Sequence, residues 1–136
     1  MKRLLTTACS ETSFNISVLL MRVTFGGLIF LNHGLPKLLK FGTLHKTFAD
    51  PFGLGSMPSL LLVIFAEVFC ALFIVIGLFT RLAAIPLVIA MSVVVFMINK
   101  NQPFNKHELP LLFLAAFLGL LFTGSGKYSI DRAIGK

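Results

Sequence analysis

Four apolar runs follow one another along this chain, each close to the length of a helix that crosses a bilayer. They cover Phe14 to Leu35, Pro58 to Phe79, Leu82 to Ile98 and Leu109 to Thr123. A hydrocarbon core about 30 Å thick takes roughly 20 helical residues, with a range of about 17 to 25. The first two runs meet that length easily and the third sits at its lower limit. The fourth is short unless its helix begins in the polar residues His107 and Glu108. Lipid offers no water to backbone groups, so helices are expected, and the runs lack the period-two alternation of a membrane barrel. The expected fold is all-α: one transmembrane four-helix bundle over residues 1–136, with an interfacial segment between helices 1 and 2.

Composition supports the same reading. The 136 residues are 57% hydrophobic and 12% charged, with a mean hydropathy of +0.94. A soluble domain carries about 25% charged residues, and one this small has proportionately more surface to cover. The net charge of +7 falls at the ends of the apolar runs, where Lys and Arg meet headgroups. It forms no basic stripe, so a nucleic-acid partner is not expected. Cys9 lies in the polar tail and Cys70 inside an apolar run. At different depths they are poorly placed to pair, and there is no CxxC or metal-ligand spacing. The basic N-terminus has no continuous apolar stretch of the kind a signal peptide needs, and it reads as a short tail before the first span.

The connections fix the layout. Gly77 to Arg81 forms a tight hairpin between the second and third runs, and Asn99 to Lys106 is a polar loop. Pro36 to Met57 mixes Phe41, Leu44, Phe48, Phe52 and Leu54 with Lys37, Lys40 and Lys46, the composition of a segment lying in the membrane interface. Four spans place both termini on one side. That side carries Lys2, Arg3, Arg81, Lys127, Arg132 and Lys136, against Lys37, Lys40, Lys46, Lys100 and Lys106 opposite. The positive-inside rule leans towards cytoplasmic termini.

Ionisable residues inside a span cost roughly 2.5 to 3.5 kcal/mol each on insertion scales, so each needs a reason. Arg22, Gly26, His33 and Lys37 in the first run fall within roughly 60° of one another on a helix and share one face. Helical rise puts Arg22 about 12 Å in from the termini side and Glu67 about 13 Å in from the other, about 5 Å apart in level. An Arg22–Glu67 pair is therefore expected as the structural ion pair. His33, Lys37, Asn99, His107 and Glu108 gather in the half away from the termini, as a polar cup with Glu67 at its floor. Arg22, His33, Lys37, Glu67, His107 and Glu108 are the candidates for ligand binding or proton handling. Each also has a structural reading. The pair could only fix helix register, the histidines bond to backbone carbonyls, and the lysines snorkel.

These residues resemble the DoxX family of small four-helix membrane proteins. The likeness begins with Arg22-x-x-x-Gly26-x-x-x-Phe30-x-x-His33-Gly34-x-x-Lys37 and continues through Glu67 and Gly77-Leu78-Phe79-Thr80-Arg81-Leu82-Ala83-Ala84. It ends with Glu108 and with Gly124-Ser125-Gly126-Lys127-Tyr128-Ser129-Ile130-Asp131, so it covers the chain from about Leu20 to about Asp131. The resemblance implies a bacterial inner-membrane protein akin to the small subunits of thiosulfate:quinone oxidoreductases, with relatives tied to thiol redox. No haem, flavin or iron–sulfur motif is present, and quinone is the cofactor the resemblance points to. Two functions follow. One is a redox subunit whose quinone meets His33, Lys37 or Arg22 while Glu67 or Glu108 handles protons. The other is a non-catalytic assembly or small-ligand and lipid-binding protein. A carrier, a weaker third, would need a homodimer to enclose a path, and redox work would need a partner protein. In each case the pocket is expected to open opposite the termini, roofed by Phe41 to Phe52, with the termini half sealed and poor in polar groups.

Overall fold

The computed structural model describes residues 4–135, and over these the chain is helical with no strand. Four helices are long and apolar enough to cross a membrane: α1 (Glu11–Leu39), α3 (Ser56–Ile76), α4 (Thr80–Ile98) and α5 (Phe104–Thr123). Two single-turn helices accompany them, α2 (Phe41–Leu44) after the first span and α6 (Ile130–Ala133) near the C-terminus. The chain is an integral membrane protein. Of the basic residues counted above, Lys2, Arg3 and Lys136 lie outside the described residues.

The spans differ from the apolar runs where local chemistry outweighs hydropathy. α1 starts before Phe14, because Ser10 caps it by accepting the Ser13 N–H at 3.1 Å and Glu11 suits a helix N-terminus. It runs on through Pro36 to Leu39. α5 starts at Phe104, directly after Pro103, so His107 and Glu108 lie inside the helix and the fourth span reaches a full 20 residues. α3 ends before Phe79. Gly77 takes a left-handed conformation at φ 77°, and the Leu78 N–H folds back to the Phe73 carbonyl at 2.8 Å, a glycine-stopped helix end.

α1 packs on α3, and α4 on both α3 and α5. Ile29, Ile74, Ala84, Leu87 and Phe117 are fully buried between them. Two glycines set the α1–α3 distance. A methyl on Gly26 would stand 2.9 Å from Val75 and 3.2 Å from the Ala71 carbonyl, and one on Gly34 would overlap the Glu67 carbonyl. Small residues let membrane helices approach until their backbones touch, where van der Waals contact replaces the missing hydrophobic drive. Gly27, one residue along, faces open space. The segment after α1 lies over the bundle as expected of an interfacial piece: Phe41, Leu44 and Phe48 pack on Leu60, Ile64 and Val68 of α3.

Gly34→Val should therefore force α1 from α3 and lower stability by about 1 to 3 kcal/mol, the usual cost of overpacking. Gly27→Ala should be neutral or slightly stabilising. Thermal unfolding of the two variants in the same detergent checks this, and equal midpoints would refute the close-approach account.

Candidate intramembrane site

Glu67 is the most deeply placed carboxylate of the spans, and its partner is Lys37. The Lys37 ammonium donates to Glu67 Oε2 at 2.8 Å and to the His33 carbonyl at 3.3 Å. Glu67 is 3% exposed, and this is the one ion pair among the described residues. Gly34 creates it, because the α1 backbone touches α3 at Glu67 and Lys37 lies one turn further on. Glu67 lies within a widened, π-type stretch of α3, Phe65–Cys70, and Lys37 follows another in α1, Phe30–Gly34. Such turns recur where a membrane or enzyme site displaces the regular ladder.

The expected Arg22–Glu67 pair does not form. Arg22, 1% exposed, turns to the termini face. Its guanidinium donates to the carbonyls of Ser125 at 2.6 Å, Tyr128 at 2.8 and 3.0 Å, and Val75 at 3.4 Å. The reason is direction. Side chains on a helix lean towards its N-terminus, so in α1 both long cations lean to the termini side. That lean carries Arg22 away from Glu67 and into the C-terminal exit, and carries Lys37 down from the far face onto Glu67. Arg22, Gly77 and the exit then lock together. A methyl on Gly77 would stand 2.8 Å from the Arg22 guanidinium. The Asp131 carboxylate accepts from the N–H groups of Phe79 at 2.8 Å and Thr80 at 3.3 Å, capping α4. Asn15 Oδ1 accepts from the Lys127 N–H at 3.0 Å.

Lys37 and Glu67 border a cavity of about 370 Å³ between α3 and α4, in the size range of small-molecule sites. Val63, Ala66, Pro86, Ala90 and Val94 form its apolar walls, and Phe48 and Phe52 lie at its mouth. It is on the side away from the termini and beneath the interfacial segment, where the sequence placed it. Asp50 ties that roof down. Its carboxylate accepts from the Gly55 N–H at 2.7 Å, the Leu54 N–H at 2.9 Å and the Ser59 hydroxyl at 3.0 Å. The Gly55 bond foremost, then those of Ser59, Leu54 and Gly53, hold the Asp50 carboxyl below its ordinary value. Sequence reading passed over Asp50 and gave Asp131 no role beyond its place in the exit motif. The signal was present in the glycine-rich stretch after Asp50, a loop whose free N–H groups need an acceptor.

The other candidates do not meet in one cup. The His33 ring stands edge-on to Phe113 of α5, centroids 5.7 Å apart, and only its carbonyl touches Lys37. His107 bonds through Nε2 to the Asn99 carbonyl, fastening the α4–α5 loop. Glu108 is exposed on α5. None of the three borders the cavity. Cys9 is exposed and Cys70 buried, both as free thiols. Nor is the termini half sealed: a second cavity of about 580 Å³ lies there, between the start of α4 and the C-terminal exit.

The DoxX family model matches residues 17–100. An uncharacterized protein of Haemophilus influenzae is 31% identical over 111 residues, covering 76% of this chain and 81% of its own length. An uncharacterized membrane protein of Mycobacterium tuberculosis is 27% identical over 143 aligned positions, covering 88% and 82%. No solved structure matches the chain.

Removing one member of the buried pair leaves the other charge uncompensated, at about 3 kcal/mol or more. Lys37→Met and Glu67→Leu should each destabilise the bundle strongly, and the double variant less than either. Additive losses in a double-mutant cycle would show the pair to be energetically idle. Asp50 gives a pH test. Its carboxyl is lowered in the folded state, so its anchoring is complete above the ordinary carboxylate pKa near 3.8 and is lost as pH falls through the lower folded value. The roof should stay closed at pH 5 and loosen only in stronger acid, whereas Asp50→Asn should loosen it at neutral pH. Hydrogen exchange at the Leu54 and Gly55 amides reads both.

Proposed function

The chain belongs to the DoxX family, and from that premise we propose that it binds a membrane-soluble quinone in the cavity between α3 and α4, as the membrane subunit of a redox system. The observation that carries this reading is a single charged pair, Lys37–Glu67, at the edge of an otherwise apolar cavity of about 370 Å³. Such a site suits a flat apolar body with a hydrogen-bond acceptor at one end. A bound quinone accepts two electrons and two protons, the electrons coming from a redox partner protein. Lys37 would orient the quinone by donating to a carbonyl oxygen. Glu67, bonded to the same ammonium, would relay to that end of the site the protons, taken up from water, that a quinone needs on reduction. The apolar walls and the Phe48–Phe52 roof exclude water. We place the protein in the bacterial inner membrane with its termini in the cytoplasm, following the charge bias and its bacterial relatives.

A second reading is a non-catalytic lipid-binding or assembly protein. What favours it is that Lys37 and Glu67 already satisfy one another at 2.8 Å, with the histidines turned elsewhere.

Titration of the protein in lipid nanodiscs with a short-chain ubiquinone analogue separates the two. The Lys37→Met/Glu67→Leu double variant, which leaves no charge unpaired, should weaken binding about tenfold, the loss of one charge-assisted hydrogen bond, and Ala90→Phe should abolish it by filling the cavity. His107→Ala and Glu108→Gln should bind as wild type does. Wild-type protein that ignores the analogue, or both cavity variants binding unchanged, would leave the non-catalytic reading standing.

A further inference from the structure

The cavity at the termini face has charged side chains beside apolar ones, and the reading above makes no use of it. About 580 Å³ of space lies between the first turn of α4 and the exit Thr123–Lys127. Three cations border it: Arg81, Lys127 and Arg132. None of them has a carboxylate within ion-pair distance among the described residues. Of the two acids at the same cavity, Asp131 is committed to capping α4, and Glu11 sits at the exposed start of α1. Arg81 is held in place. It donates through Nη2 to the Phe122 carbonyl at 3.1 Å, and its Nε would lie 3.1 Å from a methyl on Gly124, whose φ is 77°. One hydrogen bond leaves most of the guanidinium fork unused. Thr80, 1% exposed and bordering the cavity, has a hydroxyl without a hydrogen-bond partner among the described residues. Leu82, exposed on the first turn of α4, borders the same space.

From this arrangement we propose that the termini-face cavity binds a phosphate-bearing anion, with Arg81, Lys127 and Arg132 around the phosphate. Its placement suits the headgroup of an anionic phospholipid. The cavity lies at an end of the spans, where headgroups sit, and Leu82 offers an acyl chain an apolar path down α4. Planar guanidinium groups match phosphate oxygens in pairs, and basic residues at the membrane surface favour anionic lipids. A soluble phosphate would satisfy the same groups without using Leu82.

Native mass spectrometry of the detergent-solubilised protein distinguishes these sources, with phosphatidylglycerol, phosphatidylcholine and inorganic phosphate as probes. Phosphatidylglycerol adducts should exceed phosphatidylcholine adducts on the order of tenfold. The Arg81→Gln/Lys127→Gln/Arg132→Gln variant should lose that preference, while Lys100→Gln/Lys106→Gln on the opposite face keeps it. Displacement of phosphatidylglycerol by millimolar inorganic phosphate, or binding of phosphate alone with the same variant dependence, would identify a free anion as the occupant of the same site. No preference for either anion, or equal loss in both multiple variants, would overturn the proposal. Circular dichroism of the triple variant keeps the result readable. If it is not helical, Arg132→Gln alone, at an exposed residue whose side chain makes no hydrogen bond or ion pair among the described residues, should still reduce the preference, and no reduction would overturn it.

Discussion

A charged side chain inside a bilayer has no water to fall back on, and the two that this chain buries most completely organise what surrounds them. Arg22 donates to carbonyls through both of its Nη atoms, its buried Nε having no partner among the described residues, and Glu67 is paired with an ammonium. Arg22 draws three carbonyls from two other parts of the chain, the end of α3 and the exit after α5. Those carbonyls are the unpaired groups that a helix end or an irregular exit leaves exposed, so one guanidinium neutralises several costs at once. Glu67 requires a cation at its own level, which only Lys37 supplies. The bundle is thus tied at one end by hydrogen bonds to backbone and near the other by an ion pair.

The glycines follow from these two ties. Gly34 lets α1 touch α3 at Glu67, which brings Lys37 within 2.8 Å of it. Gly77 leaves room for the Arg22 guanidinium and also ends α3. Substitution at either would disturb packing and charge together. Asp131 then completes the termini face. It caps α4 from 51 residues away, and its own N–H donates to the Gly77 carbonyl at 3.0 Å. The stretches around Arg22, Gly77 and Gly124–Asp131, far apart in the chain, are one structural unit. The unit around Lys37 and Glu67 is separate and borders the apolar cavity.

This separation bears on function. The termini face holds a dense hydrogen-bond network, most of it joining side chains to main-chain groups. The opposite face carries the one ion pair among the described residues, and that pair borders a space that a ligand could fill. A site needs both polar contacts and room, and at the termini face the room lies beside the network, in the cavity of about 580 Å³ that Arg81, Lys127 and Arg132 border.

Hydropathy located the four spans but not their ends, because without water the backbone must bond to itself and only about 20 residues reach across. The helical period placed Arg22, His33 and Lys37 near one face, and the mixed composition of Phe41 to Phe52 marked the segment that covers the cavity. The partner of Glu67 was not legible. Depths reckoned from helical rise locate backbone atoms, whereas a long side chain displaces its charge by several ångströms towards the helix N-terminus. That lean reversed the choice between Arg22 and Lys37. The cup of His33, His107 and Glu108 failed for a related reason: level in the membrane says nothing of which neighbour a helix face meets. Which helices pack together is decided by close contact between particular residues, such as Gly34 on the Glu67 carbonyl. Such contacts exist only once the spans have assembled.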